Sequence, residues 1–263
     1  MFDVLKAIVV SGGLILNSYR GKVKNDPKKS DLEAKYVQAT STAHTIVDDL
    51  VQDVALEILR SHHPSVSLNA EEDTTRVEWF SKDKTKFCFH IDPLDGTLAY
   101  TQGREDYAVG AGFSEDNIFI ASAIYFPARD RLYYAEKGNG YKVTNGFGEP
   151  LEFIRGQTPA GYYIQKRCEV YVPLLEGMGL QPFDSMGAYN TMISVAEGKV
   201  AIQLYQKASP HDFGIPMVFL EEVGAVCTDG DGNPVRFDKD FNRLPYFFAF
   251  FNEDVKDKFF GRM

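Results

Sequence analysis

His90-Ile91-Asp92-Pro93-Leu94-Asp95-Gly96-Thr97 is the stretch on which the reading of this chain turns. The apolar run Phe87 to Ile91 predicts a buried strand that delivers two carboxylates, three residues apart, into a glycine-containing turn. Carboxylate oxygens are the preferred ligands of hard divalent cations such as magnesium, and residues three apart around a proline-shaped turn can point at neighbouring ions. Gly96 leaves room for a phosphate to approach the backbone, and the amides of Gly96 and Thr97, opening a following helix, suit an anion. The plain alternative is a β-turn whose aspartates bond local amides. Taken alone, the turn does not choose between the two.

Upstream, Ala70-Glu71-Glu72-Asp73 follows a short strand-like segment at Val66 to Leu68, so a second acidic cluster stands at a strand's C-terminal end. Earlier still, Val47, Leu50, Val51, Val54, Ile58 and Leu59 form one apolar stripe, with Asp49, Gln52, Asp53 and Glu57 facing the other way, which predicts an amphipathic helix. Thr45 and Asp48 open that helix with the spacing of a capping box. Downstream, Ser209-Pro210-His211-Asp212-Phe213 opens another helix, where Asp212 is placed as a first-turn acid favoured by the helix dipole. Each of these acids has an ordinary structural reading by itself. It is their combination with the Asp92 turn that points to chemistry.

Around these landmarks the chain divides near residue 145. Residues 1–145 read as a helix over 2–18, a charged loop from Arg20 to Asp31, the amphipathic helix and then a mainly antiparallel sheet, with strands at Phe87 to Ile91, Tyr107 to Phe113, Ile118 to Ile124 and Leu132 to Ala135. Gly138 to Pro150 reads as turn. Residues 146–263 alternate: strand Tyr162 to Gln165, helix near Glu169 to Met178, helix near Tyr189 to Glu197, strand Val200 to Tyr205, helix near Phe213 to Val223, strands Ala225 to Cys227 and Tyr246 to Phe251, and a short final helix. Strands alternating with helices predict a layered α/β half.

Composition narrows the class of partner. With 263 residues, 44% hydrophobic and 25% charged, the chain can bury one large core, or two intimate halves. Its 37 acidic against 28 basic side chains give a net charge near -9, which argues against nucleic acid or an anionic membrane as partner and favours a small molecule. Cys88, Cys168 and Cys227 lie far apart in apolar surroundings, which suits a reducing cytoplasm better than a disulfide framework. The run Leu5 to Leu16, interrupted by Ser11, Gly12 and Gly13, reads as too short and broken to span a membrane, and there is no basic leader. Trp79 and the Phe-rich C-terminus read as core or as a dimer face, and the five histidines, scattered along the chain, form no metal box.

The order Thr-x-x-Asp, Glu-Glu, Asp-Pro-Leu-Asp-Gly-Thr and a late Asp opening a helix resembles the inositol monophosphatase superfamily, which also holds fructose-1,6-bisphosphatases and 3′-phosphoadenosine 5′-phosphate phosphatases. The resemblance implies a layered αβαβα sandwich of α/β class, a magnesium-dependent phosphomonoesterase using two or three ions per site, sensitivity to lithium, and a homodimer. Residue by residue, it implies metal-ligating roles for Glu71, Asp92, Asp95, Asp212 and the carbonyl of Leu94. It also implies phosphate contacts from Gly96 and Thr97, with Asp48 behind Thr97 and the attacking water between Thr97 and Glu71. The substrate's leaving group would then meet Asp212 and a pocket drawing on Tyr189, Asn190, Gln203, Tyr205 and Lys207. Two departures stand out. The family's late motif is usually Trp-Asp followed by small residues, whereas this chain has His211-Asp212-Phe213-Gly214-Ile215-Pro216, and Tyr205-Gln206-Lys207 lacks the acidic residue with which inositol-specific members receive substrate hydroxyls.

Two rivals are weighed beside this. Haloacid dehalogenase phosphatases carry an Asp-x-Asp-Gly-Thr turn, but here both Pro93 and Leu94 separate the aspartates, and the turn lies far from the N-terminus. A metal-dependent phospholigand-binding protein would hold ions and a phosphorylated ligand at the acidic turn without hydrolysis, and the presence of both Asp48 and Thr97, which matter for the water, weighs against it.

Overall fold

In the computed structural model, residues 1–26, 43–80 and 85–263 are described; the latter part of the loop expected at Arg20 to Asp31 lies outside them. Helix α1 (Phe2–Tyr19) and helix α2 (Ile46–His62) pack together on one face of a six-stranded sheet. That sheet has the order β1 (Ser67–Ala70), β2 (Phe87–Asp95), β3 (Ala108–Glu115), β4 (Ile118–Phe126), β5 (Arg131–Glu136), β6 (Gly140–Thr144). Strand β6 was not expected from sequence: the glycines around Tyr141-Lys142-Val143 that signal turns bound a real edge strand, paired with β5 from Leu132↔Thr144 to Glu136↔Gly140.

On the sheet's other face lie α5 (Ala188–Ala196) and α6 (Ile215–Glu222), buried between it and a five-stranded sheet. The second sheet has the order β10 (Val226–Thr228), β11 (Leu244–Phe250), β9 (Val200–Ala208), β7 (Gly161–Ile164), β8 (Gln181–Pro182). Its far face is covered by α4 (Val172–Gly177) and α7 (Glu253–Phe260). The result is an αβαβα sandwich. Aromatic packing supplies much of the inner layers, with Phe119, Phe213, Phe219 and Phe247 fully buried around α5 and α6. Burying a side chain of that size contributes roughly 1.5–3 kcal/mol before cavity effects are counted.

Two expectations change. α1 runs unbroken through Ser11, Gly12 and Gly13, so by length and composition it is long enough to cross a bilayer. Here its Leu5, Ile8, Val9, Gly12 and Leu16 are instead buried against the protein. Trp79 is not core: it is 37% exposed, with the Arg60 and Arg76 guanidinium groups 4.5 and 5.2 Å from its ring, a cation–π clamp.

One topological detail positions everything that follows. β1 and β2 run parallel, in register from Ser67↔Cys88 to Ala70↔Ile91, so both strands end on the same side. Glu71 therefore arrives beside Asp92, its N–H bonding the Ile91 carbonyl at 3.2 Å. Beyond that point the β2–β3 ladder slips between Asp92↔Gly110 and Asp95↔Ala108, a bulge at Pro93, which has no N–H to give the ladder, and the short helix α3 (Thr97–Thr101) follows.

Candidate active site

The bulge re-aims the two aspartates. Asp92 is 0% exposed; its Oδ1 accepts the Leu94 N–H at 3.1 Å, while its Oδ2 is enclosed and makes no well-formed hydrogen bond among the described residues. Oxygens of Asp92, Asp95 and Asp212 all lie within 4.8 Å of one another, and the Glu71 carboxylate abuts Asp92. The chain thus brings four acids from three distant segments to one point. Asp212 comes on a single π-helical turn, Pro210–Gly214, that precedes α6 rather than in the first turn of a regular helix.

Asp95 is held from the far half of the chain. Its Oδ1 and Oδ2 accept the N–H groups of Ala188 and Tyr189, each at 2.9 Å, at the opening of α5. Those donors fix the carboxylate's orientation as the macrodipole of α5 favours its charge. Even so, burial pushes Asp95 well above the usual carboxylate range, with the Asp212 charge adding to it. Asp92 is raised still by the same means: burial first, then Glu71, Asp95 and Asp212. Two enclosed carboxylates, Asp92 and Asp95, the half-buried Asp212 and one orphaned oxygen make an all-oxygen donor set that hard cations fit, since a bare cluster of this kind is electrostatically costly.

Asp48 serves two masters with its two oxygens. Oδ2 accepts the Thr45 N–H at 2.9 Å and the Thr45 hydroxyl at 2.7 Å, completing the capping box of α2, while Oδ1 accepts the Thr97 hydroxyl at 3.1 Å. The cap and the site are the same residue, 1% exposed and pushed by burial to about 7, with the Thr45 bond opposing and Glu71 and Glu72 adding. Thr97 also lies 3.0 Å from the Leu94 carbonyl, so its single proton is shared between two acceptors. Nearby, His44 Nε2 stands 3.1 Å from Asp49 and 3.9 Å from Glu72, a second cluster of donor atoms at the start of α2.

Gly96 has φ +78°, and a Cβ there would meet the Asp106 carbonyl at 2.6 Å. Packing against residue 106, more than space for a phosphate, demands glycine at this turn. A Cβ at Gly187 would meet the same carbonyl at 2.4 Å, and Asp95 Oδ2 at 2.6 Å. Sequence reading passed over the device behind this. Asp106 accepts the Met186 N–H at 2.8 Å and is gripped by Arg104 through two bonds of 2.8 and 2.9 Å, so the loop that presents Ala188 and Tyr189 to Asp95 is tied down. Burial works against the Asp106 charge, but Arg104 and the Met186 N–H hold it below the ordinary carboxylate range. Arg104 and Asp106, two residues apart after Gln102-Gly103, were the visible signal.

The residues expected around the leaving group are spread more widely. Tyr189 is fully buried, its hydroxyl donated to the His211 carbonyl at 3.0 Å, which puts it beneath the carboxylates rather than at an open wall. Asn190 is buried between Ser185 and Arg129, and Gln203 is fully buried with neither amide atom partnered among the described residues. Lys207 is exposed. Tyr205 is half-buried, 4.5 Å from the ring of Phe213, the neighbour of Asp212, and stacks on Tyr163 at 5.8 Å with the two hydroxyls 3.5 Å apart. Burial raises both hydroxyls, with the Asp95 charge adding to it. Tyr163 had not been singled out from sequence.

Known proteins agree with this architecture. A fructose-1,6-bisphosphatase/inositol-1-monophosphatase of Aquifex aeolicus is 27% identical over 239 residues, covering 86% of this chain and 84% of that protein. The 3'(2'),5'-bisphosphate nucleotidase CysQ of Salmonella typhimurium is 24% identical over 202 residues, covering 76% and 77%. Among solved structures, an IMPase from Thermotoga maritima superposes with a TM-score of 0.77 over 99% of this chain and 97% of that one, at 20% identity. With the sequence profile of the inositol monophosphatase family matching residues 1–244, this chain belongs to that family.

Proposed function

We propose that the protein is a magnesium-dependent phosphomonoesterase acting on a small phosphate ester, an inositol or sugar phosphate, by attack of water. The observation that carries this is the convergence of the buried Asp92 and Asp95 with the half-buried Asp212, with Glu71 beside them, joined to a Thr97–Asp48 hydroxyl–carboxylate pair at the same turn. When bound, magnesium ions would neutralise these charges, make a water acidic and stabilise the departing alkoxide. Glu71, Asp92, Asp95, Asp212 and the Leu94 carbonyl are the residues that would hold them.

What the chain itself contributes follows from its hydrogen bonds. With Thr97 donating to Asp48, the threonine oxygen keeps its lone pairs for a water proton, and Asp48, fixed by two donors from Thr45, keeps the hydroxyl aimed. General-base help of this kind is worth about 10²- to 10⁴-fold. The N–H groups of Ala188 and Tyr189 keep Asp95 from turning away.

A second reading of the substrate has its own support. The half-buried Tyr163–Tyr205 stack beside Asp212 offers a flat aromatic face where inositol-specific enzymes carry an acid, and this favours a nucleotide leaving group. Phosphate release from a panel of inositol, sugar and 3′-phosphonucleotide monoesters, with magnesium and with chelator, tests both. Turnover with magnesium only is expected. Release of no phosphate from any ester, with magnesium still bound, would replace the enzyme with a phospholigand-binding protein.

A further inference from the structure

Asp212 reaches the other carboxylates from a segment more than a hundred residues later in the chain, so its height above β1 and β2 has to be set by a contact between the halves. We propose that His211 is the positioning residue that sets it, a reading that rests on Asp92, Asp95 and Asp212 holding a divalent cation.

The bonds define the device. His211, 9% exposed, places its Nε2 3.0 Å from the Asn69 carbonyl of β1, two residues before Glu71. A carbonyl only accepts, so Nε2 carries the proton, and Nδ1 is the atom that faces the Ser209 hydroxyl at 3.4 Å. Asn69 is itself immobilised: its Nδ2 donates to His90 Nδ1 at 3.1 Å, and the fully buried His90 in turn places Nε2 2.8 Å from the Ser114 hydroxyl of β3. On its main chain, His211 accepts the Tyr189 hydroxyl at 3.0 Å, and the Tyr189 N–H holds Asp95. The ring therefore bolts the Pro210–Gly214 turn to the strand that delivers Glu71. The carbonyl bolts the same turn to the helix that orients Asp95. Asp212, the next residue, has its place relative to Glu71, Asp92 and Asp95 fixed by these two bonds together.

The test compares the full-length wild type with His211→Phe, which keeps a ring but no donor, and His211→Gln, whose amide N–H reaches the position of Nε2. Magnesium binding is measured by titration calorimetry, and hydrolysis of p-nitrophenyl phosphate is followed as magnesium is varied. His211→Phe is expected to weaken magnesium binding at one site, and to lower kcat, by about 10- to 100-fold, the usual effect of removing a bond that orients a metal ligand. KM for the ester at saturating magnesium should stay within about twofold, because the ester's other contacts are untouched. His211→Gln should recover most of the loss, and His211→Phe should add little once Asp212→Asn is present. Should His211→Phe not fold, His211→Leu carries the same comparison. Unaltered magnesium binding by the donor-less variant overturns the inference, as does a His211→Gln variant equally impaired, or an undiminished effect on the Asp212→Asn background. A wild type that binds no magnesium overturns the cation reading itself.

Discussion

Replacing Asp92 by Asn should make the metal-free protein more stable while destroying its activity. The carboxylate oxygens of Asp92, Asp95 and Asp212 lie within 4.8 Å of one another, and at that separation two unit charges repel by about 3.5 kcal/mol at an effective dielectric near 20. Asp92 takes part in two such pairs and also abuts Glu71, so a fully ionised Asp92 would suffer repulsion of about 7 kcal/mol or more. The folded protein avoids most of this by taking up protons, as the raised affinity of Asp92 and Asp95 records. Holding those protons at pH 8 has its own cost, about 1.4 kcal/mol for each pH unit above the point where the group would release them. The amide has the shape of the acid, keeps an oxygen for the Leu94 N–H, and carries no charge at any pH. A net gain of about 2 kcal/mol at pH 8 is therefore expected, or roughly 4–8 °C in Tm for a protein of this size.

The sign of the pH dependence follows from the direction of the shift. A carboxyl whose affinity for protons is raised by folding contributes stability at low pH and loses it as pH rises. Wild type and Asp92→Asn should accordingly differ least below about pH 4, where the unfolded carboxyl is itself protonated, and separate progressively toward pH 8, both in chelator. With magnesium the order reverses: the wild type should gain in Tm and the variant should not, and phosphate release by the variant should fall by at least about 10³-fold. Differential scanning fluorimetry across pH, with chelator and with magnesium, reads all of this. A variant no more stable than wild type in chelator at pH 8, or one that still turns over, would refute the placement of Asp92 in a crowded carboxylate group.

Thr97→Val should lower kcat by about 10²-fold with little change in KM, while Thr97→Ser restores most of it, because only the hydroxyl bond to Asp48 is at stake; steady-state kinetics separates the two. Asp48, raised to about 7, should make the metal-free wild type lose stability as pH climbs from about 4 to about 7, and Asp48→Asn should flatten that part of a Tm-against-pH curve. Gly187→Ala puts a methyl 2.4 Å from the Asp106 carbonyl and 2.6 Å from Asp95 Oδ2, so the start of α5 must shift; a loss of about 1–3 kcal/mol in urea melts and weaker magnesium binding by calorimetry are expected.

What could be read from sequence here was what neighbours in the chain decide. Helix α2, its Thr45–Asp48 cap, and the strand feeding Asp92 and Asp95 into a turn are all set within a few residues, and each lies where the pattern put it, but within the stripe Leu50 is exposed and Gln52, expected on the outer face, is buried with its amide bonded to the Glu72 backbone. The parallel pairing of β1 with β2 is different: a short strand's direction relative to its neighbour depends on how the chain crosses over, which no local pattern encodes, and that pairing is what brings Glu71 to Asp92. β6 was lost for the opposite reason, since its glycines are good turn formers and the edge pairing with β5 overrides them. Tyr189 looked like a pocket residue because aromatic hydroxyls often are; its burial comes from α5 being covered on both faces, a property of the layering and not of the helix's own sequence.

The same distinction explains why the acids were easier to find than the groups that make them useful. A carboxylate in a Gly-turn is conspicuous, but Asp95 is oriented by N–H groups 93 and 94 residues away, and the turn carrying Asp212 is fastened to a carbonyl 142 residues from His211. Backbone donors and acceptors have no sequence signature, because every residue except proline supplies both. What the chain did expose was polar side chains beside the acidic landmarks: His211 immediately before Asp212, and an Arg104–Asp106 pair at the edge of the turn. Residues of that kind, polar, enclosed and paired across long sequence distances, hold a cluster of like charges in a geometry it would not keep by itself, so substituting them should weaken cation binding before it weakens the fold.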